Sequence, residues 1–317
     1  MNKYYFLQIK EGSCSPYIDT VHKWIKQNQL AAIFSTKTLN ELKSDDTKKD
    51  QNKFVTTFDN NNTDGTKLIS IGQNENHIET VYIYEKAGLL NYYDKTSKYI
   101  VDPANYSKTT KNNVDNVIGF PVKLIKEKPI AKCPLVLATM KSNQWLTRGT
   151  FKEINPSNTE NSEDDDGFDN SYFGNIKAIE YVRTGKKQKV QSFLQYLECL
   201  SPIEFETLVA KIKEAEGFFV PAYKGGSLKD YDIICRKKNG KDEYIQVKLN
   251  LYQESYNKYM HKHSEDLHIY CVSNKTKKTI KNGPIIYDWR YIEKAVKKYV
   301  AVNEWLITSL DWIDFVQ

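Results

Sequence analysis

At 317 residues, with a formal net charge of +6, 40% hydrophobic and 27% charged side chains, the chain has the length of two globular domains of about 150 residues each. No run approaches the roughly 20 apolar residues of a membrane span, and the opening MNKYYFLQIK carries neither an apolar h-region nor a small-residue cleavage site, so no membrane partner and no secretory route are expected. Five scattered cysteines, Cys14, Cys133, Cys199, Cys235 and Cys271, contain no CxxC spacing and read as reduced thiols in a cytoplasm, not as a disulfide frame or zinc site.

In chain order, KYYFLQIK (3–10) predicts a strand, followed by a loop and an amphipathic helix with Ile18, Val21, Trp24 and Ile25 inward. Residues 41–65 are rich in Asn, Asp and Lys, with FVTTFD as the one apolar island, and predict a long surface loop. Strands are expected at 67–71, 80–85, 117–125 and 134–138, and the segment 145–154 closes a domain. Several strands, one early helix and long polar loops indicate a small, barrel-like α+β domain over 1–154. The order of elements, with GFPVKLI (119–125) and WLTRGTFKEI (145–154), resembles the EVE/PUA-like fold. That resemblance implies a recognition domain that holds a modified or flipped base, and it makes Trp24, Tyr82, Tyr84 and Trp145 the aromatics expected to stack on it.

Residues 155–190 read as an acidic linker and a connecting helix. Glu160, Glu163, Asp164, Asp165, Asp166 and Asp169 crowd one polar segment, which leaves the rest of the chain more basic than the total and suited to a polyanionic partner. Ile176, Ile179 and Val182 recur at helical spacing, and Arg183, Lys186, Lys187 and Lys189 form a basic cluster able to meet a phosphate backbone or plain solvent.

The remaining segment, 191–317, holds the chemistry. Ser201 with Glu204 three residues on is a capping box, Pro202 occupies the first helical position, and Phe205, Leu208, Val209, Ile212 and Ala215 form an inward stripe that Gly217 ends. Strands at 218–220, 231–235 and 244–248 follow, the last two joined through Asn239-Gly240, a strong hairpin signal. Alternation puts Asp232 with Ile234 on one face of its strand, and Tyr244, Gln246 and Lys248 on one face of the partner, so that with a suitable register Asp232, Gln246 and Lys248 converge. In that register the preceding helix can deliver Glu206 beside them.

A carboxylate, a polar acceptor and a lysine so placed suit metal-assisted phosphodiester hydrolysis. The phrase SPIEFETLVA, the Gly225-Gly226 turn, Asp232 and the QVK tripeptide 246–248 resemble the Mrr-like restriction endonucleases of the PD-(D/E)xK superfamily. The resemblance implies a mixed sheet flanked by helices, a Mg²⁺ or Mn²⁺ cofactor held by Asp232, Glu206 and Gln246, Lys248 acting on the attacking water or the transition-state charge, and DNA, with or without modified bases, as substrate. Gln246 stands where the wider superfamily has an acid. The alternatives are a non-catalytic nucleic-acid reader on the same fold and a partner-dependent subunit of a defence system.

Beyond Lys248, a polar helix (252–264) and a strand (267–272) extend the sheet, and the HKH at 261–263 lacks the spacing of a His/metal nuclease site. The apolar tail from Trp289 to Phe315 suits packing on the sheet or a homodimer contact. No GxxxxGK[ST], GxSxG or GxGxxG occurs, which removes P-loop, hydrolase-elbow and dinucleotide chemistries.

Overall fold

The structure, a computed structural model, describes residues 3–7, 21–35, 37–44, 49–59, 65–93, 116–142, 151–154, 172–223, 231–237, 240, 242–262, 267–277, 279 and 283–316. The chain is mixed α and β, as expected, and forms two compact units: Met1–Cys133 with Met140–Ser157, and Pro134–Thr139 with Asn158–Gln317. Among the described residues no helix is long and apolar enough to cross a membrane.

The first unit is built on a seven-stranded sheet comprising β1 (Tyr4–Leu7), β2 (Leu30–Ser35), β3 (Lys67–Gln73), β4 (Glu79–Lys86), β5 (Asn91–Tyr93), β6 (Asn116–Pro129) and β7 (Phe151–Glu153), in the order β2-β6-β4-β3-β1-β7 with β5 also on β6. β6 makes the sheet curl into a half barrel: its first half pairs with β2 and β5, one on each edge, and its second half pairs with β4. Gly119 sits where those pairings meet, and a Cβ there would run into the Ala31 carbonyl and the Ala32 side chain, so glycine is required by close backbone approach. All pairings are antiparallel except β1 with β3.

Two expectations for this region are overturned. The stretch read as a surface loop contains helices α2 (Leu39–Lys43) and α3 (Lys49–Asp59), after α1 (Val21–Asn28). The FVTTFD island is the inward side of α3: Phe54, Val55 and Phe58, at positions i, i+1 and i+4, are at most 1% exposed and pack on the concave core with Tyr5 and Phe120. Residues 134–138 begin a helix, α4 (Leu135–Ser142), not a strand; Val136, Leu137 and Met140 are buried at helical spacing.

The second unit opens with α5 (Tyr172–Thr184) and strand β8 (Gln188–Val190), which pairs in parallel with β14 (Ile313–Phe315) at the end of the chain. Helices α6 (Phe193–Leu197) and α7 (Pro202–Ala215) follow. The capping box forms as expected: Ser201 Oγ accepts from the Glu204 N–H at 3.2 Å, and the Glu204 carboxylate accepts from the Ser201 N–H at 2.8 Å. Both residues are buried, so Ser201→Ala is expected to cost about 1 to 2 kcal/mol in a denaturant melt; a loss under about 0.3 kcal/mol would show that the cap does not matter there.

The central sheet of this unit has five strands in the order β13-β12-β11-β10-β9, where β9 is Phe219–Tyr223, β10 Ile233–Arg236, β11 Asp242–Leu251, β12 Leu267–Asn274 and β13 Ile285–Tyr287. β9, β10 and β11 run antiparallel and β11, β12 and β13 parallel. One face takes α7 and then α9 (Trp289–Lys298), with α10 (Val300–Ser309) against α7. The opposite face takes α8 (Gln253–Lys262), whose Tyr256 packs with Leu267, Ile269 and Cys271. The mixed sheet flanked by helices matches the sequence expectation; β13 extends it, and β8 and β14 form a separate two-stranded sheet.

Candidate active site

β10 and β11 pair with Ile233 opposite Ile245 and Ile234 opposite Tyr244. Asp232 lies one residue before β10, and its N–H donates at 2.9 Å to the carbonyl of Ile245, the partner of Ile233. Two consecutive residues thus face one, a bulge-like end to the ladder that re-aims the Asp232 side chain. The carboxylate then does the work of a strand backbone: Oδ2 accepts the Val247 N–H at 2.7 Å and also accepts from Gln246 Nε2. Neither bond uses Oδ1.

Gln246 is buried at 6% exposure. An ionised carboxylate only accepts, so the amide must turn its NH₂ towards Asp232, which leaves Gln246 Oε1 as an acceptor. Lys248, half-buried on the same face of β11, lies near enough for its charge to act on Asp232. Burial pushes the Asp232 carboxyl above the ordinary aspartate range; the Lys248 charge and the Val247 N–H pull downward without cancelling that rise.

Asp232, Gln246 and Lys248 are therefore brought together. Glu206 is half-buried in the second turn of α7 and is not among the groups that set the ionisation of Asp232. Sequence reasoning missed the Val247 N–H, a backbone donor that lies beyond the last paired residues, Ile233 and Ile245. The Gly225-Gly226 turn lies outside the described residues.

A divalent cation fits this donor set. A carboxylate whose charged form burial disfavours gains from a cation beside it, and Asp232 Oδ1 and Gln246 Oε1 are hard oxygen donors of the kind Mg²⁺ and Mn²⁺ take. Among the described residues no group of three or more His, Cys, Asp or Glu is placed to hold a metal. Two protein oxygens nonetheless suit Mg²⁺, which keeps several waters and is usually completed by phosphate.

The aromatics expected to stack on a base fare differently. Tyr82 and Tyr84 are each 1% exposed in the core of the first unit, their rings stacked at a centroid distance of 6.2 Å, so neither has an open face for a base. This corrects the expectation: on β4 both side chains point into the curl of the sheet, where Phe58, Phe120 and Val122 also pack. Trp24 lies on α1, with its side chain outside the described residues, and Trp145 lies outside them altogether. Compared with protein-family models, curated proteins and solved structures, the chain matches none.

Proposed function

We propose that the chain is a metal-dependent endodeoxyribonuclease of restriction or phage-defence type, whose second unit hydrolyses phosphodiester bonds and whose first unit selects the DNA, with or without modified bases. The observation that carries this is the meeting of the Asp232 carboxylate, the Gln246 amide and the Lys248 ammonium at the irregular end of the β10/β11 ladder. Asp232 Oδ1 and Gln246 Oε1 would hold Mg²⁺ or Mn²⁺. The bound ion supplies Lewis-acid polarisation of the phosphate and acidification of a water. Lys248 orients the attacking water and offsets the charge that builds on the phosphate oxygens, while the Val247 N–H fixes the rotamer of Asp232. Base contacts, with Tyr82 and Tyr84 removed from consideration, fall to Trp24 and Trp145. The test is incubation of the purified chain with phage DNAs bearing different cytosine modifications, with and without Mg²⁺. New ends are expected only with the metal; their absence from every substrate would contradict the proposal.

One observation favours a second reading, a non-catalytic nucleic-acid platform: Gln246 and Val247 already bind one oxygen of Asp232, Oδ2. A platform binds the same DNAs with no product at any metal concentration.

The raised Asp232 ionisation has a pH consequence. Cation binding needs the carboxylate, so it is present above the Asp232 pKa and lost as pH falls through it, earlier than for an ordinary aspartate near pH 3.9. Lys248→Met removes a charge that lowers that pKa, so carboxyl NMR should show the Asp232 midpoint moving further up. An unmoved midpoint would mean that the two side chains do not interact.

A further inference from the structure

The face of the second sheet opposite Lys248 buries charge that the proposed chemistry does not use. Lys213, in the last turn of α7 and 4% exposed, pairs with Glu216 Oε2 at 3.0 Å and with Glu243 Oε2 of β11 at 2.9 Å, its Nζ 3.7 Å from the centre of the Phe218 ring. Tyr291 of α9 donates to the other oxygen of Glu216, and His268 of β12 places Nδ1 3.5 Å from Glu243 Oε2. One ammonium thus ties α7 to β11 and, through Glu216, to α9. Burial works against its charge, yet the two carboxylates more than offset this and hold its pKa above the ordinary lysine value.

A buried charge cluster of this kind is a weak source of net stability, because desolvation consumes most of the Coulomb gain; its best-attested use is to fix register. Register needs fixing here. On β11 the alternation of buried Ile245, Val247 and Leu249 with Tyr244, Gln246 and Lys248 excludes a slip of one residue, but a slip of two keeps the apolar face inward, so the apolar pattern alone does not discriminate. Such a slip would carry Gln246 away from Asp232 and put Tyr244 or Lys248 in its place. Glu243 sits directly opposite Cys235; the residues two places to either side of it cannot replace it as the partner of Lys213, since Lys241 carries the same charge as Lys213 and Ile245 carries none.

We propose that Lys213 is a positioning residue that pins β11 through Glu243 in the one register presenting Gln246 and Lys248 to Asp232, an inference that rests on the reading of those three as a nuclease site.

The test removes the charges together, so that none is left buried and unpaired: Lys213→Met with Glu216→Leu and Glu243→Leu. The variant is expected to melt no lower than the parent and to bind DNA as before, while Mg²⁺-dependent cleavage falls about a hundredfold through misplacement of reacting groups. Register is read separately by disulfide trapping between Ile234→Cys and Tyr244→Cys, which are Cα partners, in a Cys235→Ala background. The cystine should form readily with the charges present and in clearly lower yield without them. Equal trapping yields in the two backgrounds would overturn the positioning role whatever the cleavage result, and so would wild-type cleavage by the stable variant. Loss of cleavage in the parent itself would sink the nuclease reading and leave the trapping comparison to decide the role of Lys213. Should the triple variant fail to fold, Glu243→Gln, which keeps shape and an acceptor, carries the same comparison.

Discussion

Asp232→Ala is expected to lower metal-dependent DNA cleavage by about three orders of magnitude, the scale of losing a principal electrostatic group at a reacting phosphate, with DNA affinity changed by less than about threefold. Two effects combine. The substitution removes the carboxylate whose Oδ1 would hold the cation, and it strips the Val247 N–H and the Gln246 amide of their acceptor, so the amide is no longer oriented. Affinity survives because nonspecific DNA binding comes from phosphate contacts by lysine and arginine, and an aspartate contributes none. Single-turnover cleavage and a binding isotherm at one salt concentration measure both. A variant that cuts within about tenfold of the parent would show that the phosphate is attacked elsewhere.

Phe58→Ala should have the largest effect on stability, about 3 to 5 kcal/mol in the first unit. Phe58 is 1% exposed on α3 and sits among Phe120, Phe54 and Tyr5 at centroid distances of 4.5, 5.2 and 5.4 Å, so truncation opens a cavity between helix and curled sheet and also loses the edge-to-face ring contacts. Denaturant unfolding with a probe in the first unit measures it, since a two-unit chain need not unfold in one step. Because Asp232, Gln246 and Lys248 lie in the other unit, cleavage of nonspecific DNA should persist while selection among DNAs is lost. A shift below about 1 kcal/mol would mean that α3 does not form this core.

What could be read from sequence follows from which signals are local. The α7 cap and stripe, the alternation along Tyr244–Lys248 and the pairing of β10 with β11 are set by spacing within a few residues, and the structure has them where expected, except that Ala215 at the end of the stripe is exposed. α3 was hidden because its Asn, Asp and Lys residues depress mean hydropathy; its signal was the i, i+1, i+4 spacing of Phe54, Val55 and Phe58, which outweighs composition once a curled sheet lies opposite. The run Leu135–Ala138 is a short apolar segment that periodicity cannot assign, and the Met140 that follows extends it as a helix. β8 and β14 are three residues each and more than a hundred apart in sequence, so only their pairing defines them. The bulge at Asp232 and the burial of Lys213 depend on elements distant in the chain. Alternation predicted that Asp232 meets Gln246, but it had no means of showing that a backbone N–H completes the contact.

The most direct measurement is a Mn²⁺ titration of the purified full chain beside Asp232→Ala, followed by calorimetry or by loss of the free-ion electron paramagnetic resonance signal. One site is predicted in the parent, present at neutral pH and lost on acidification, and none at that position in the variant. Equal Mn²⁺ binding by the two proteins, or no binding by either in the presence of DNA, would contradict a cation held by Asp232 and Gln246 beside Lys248.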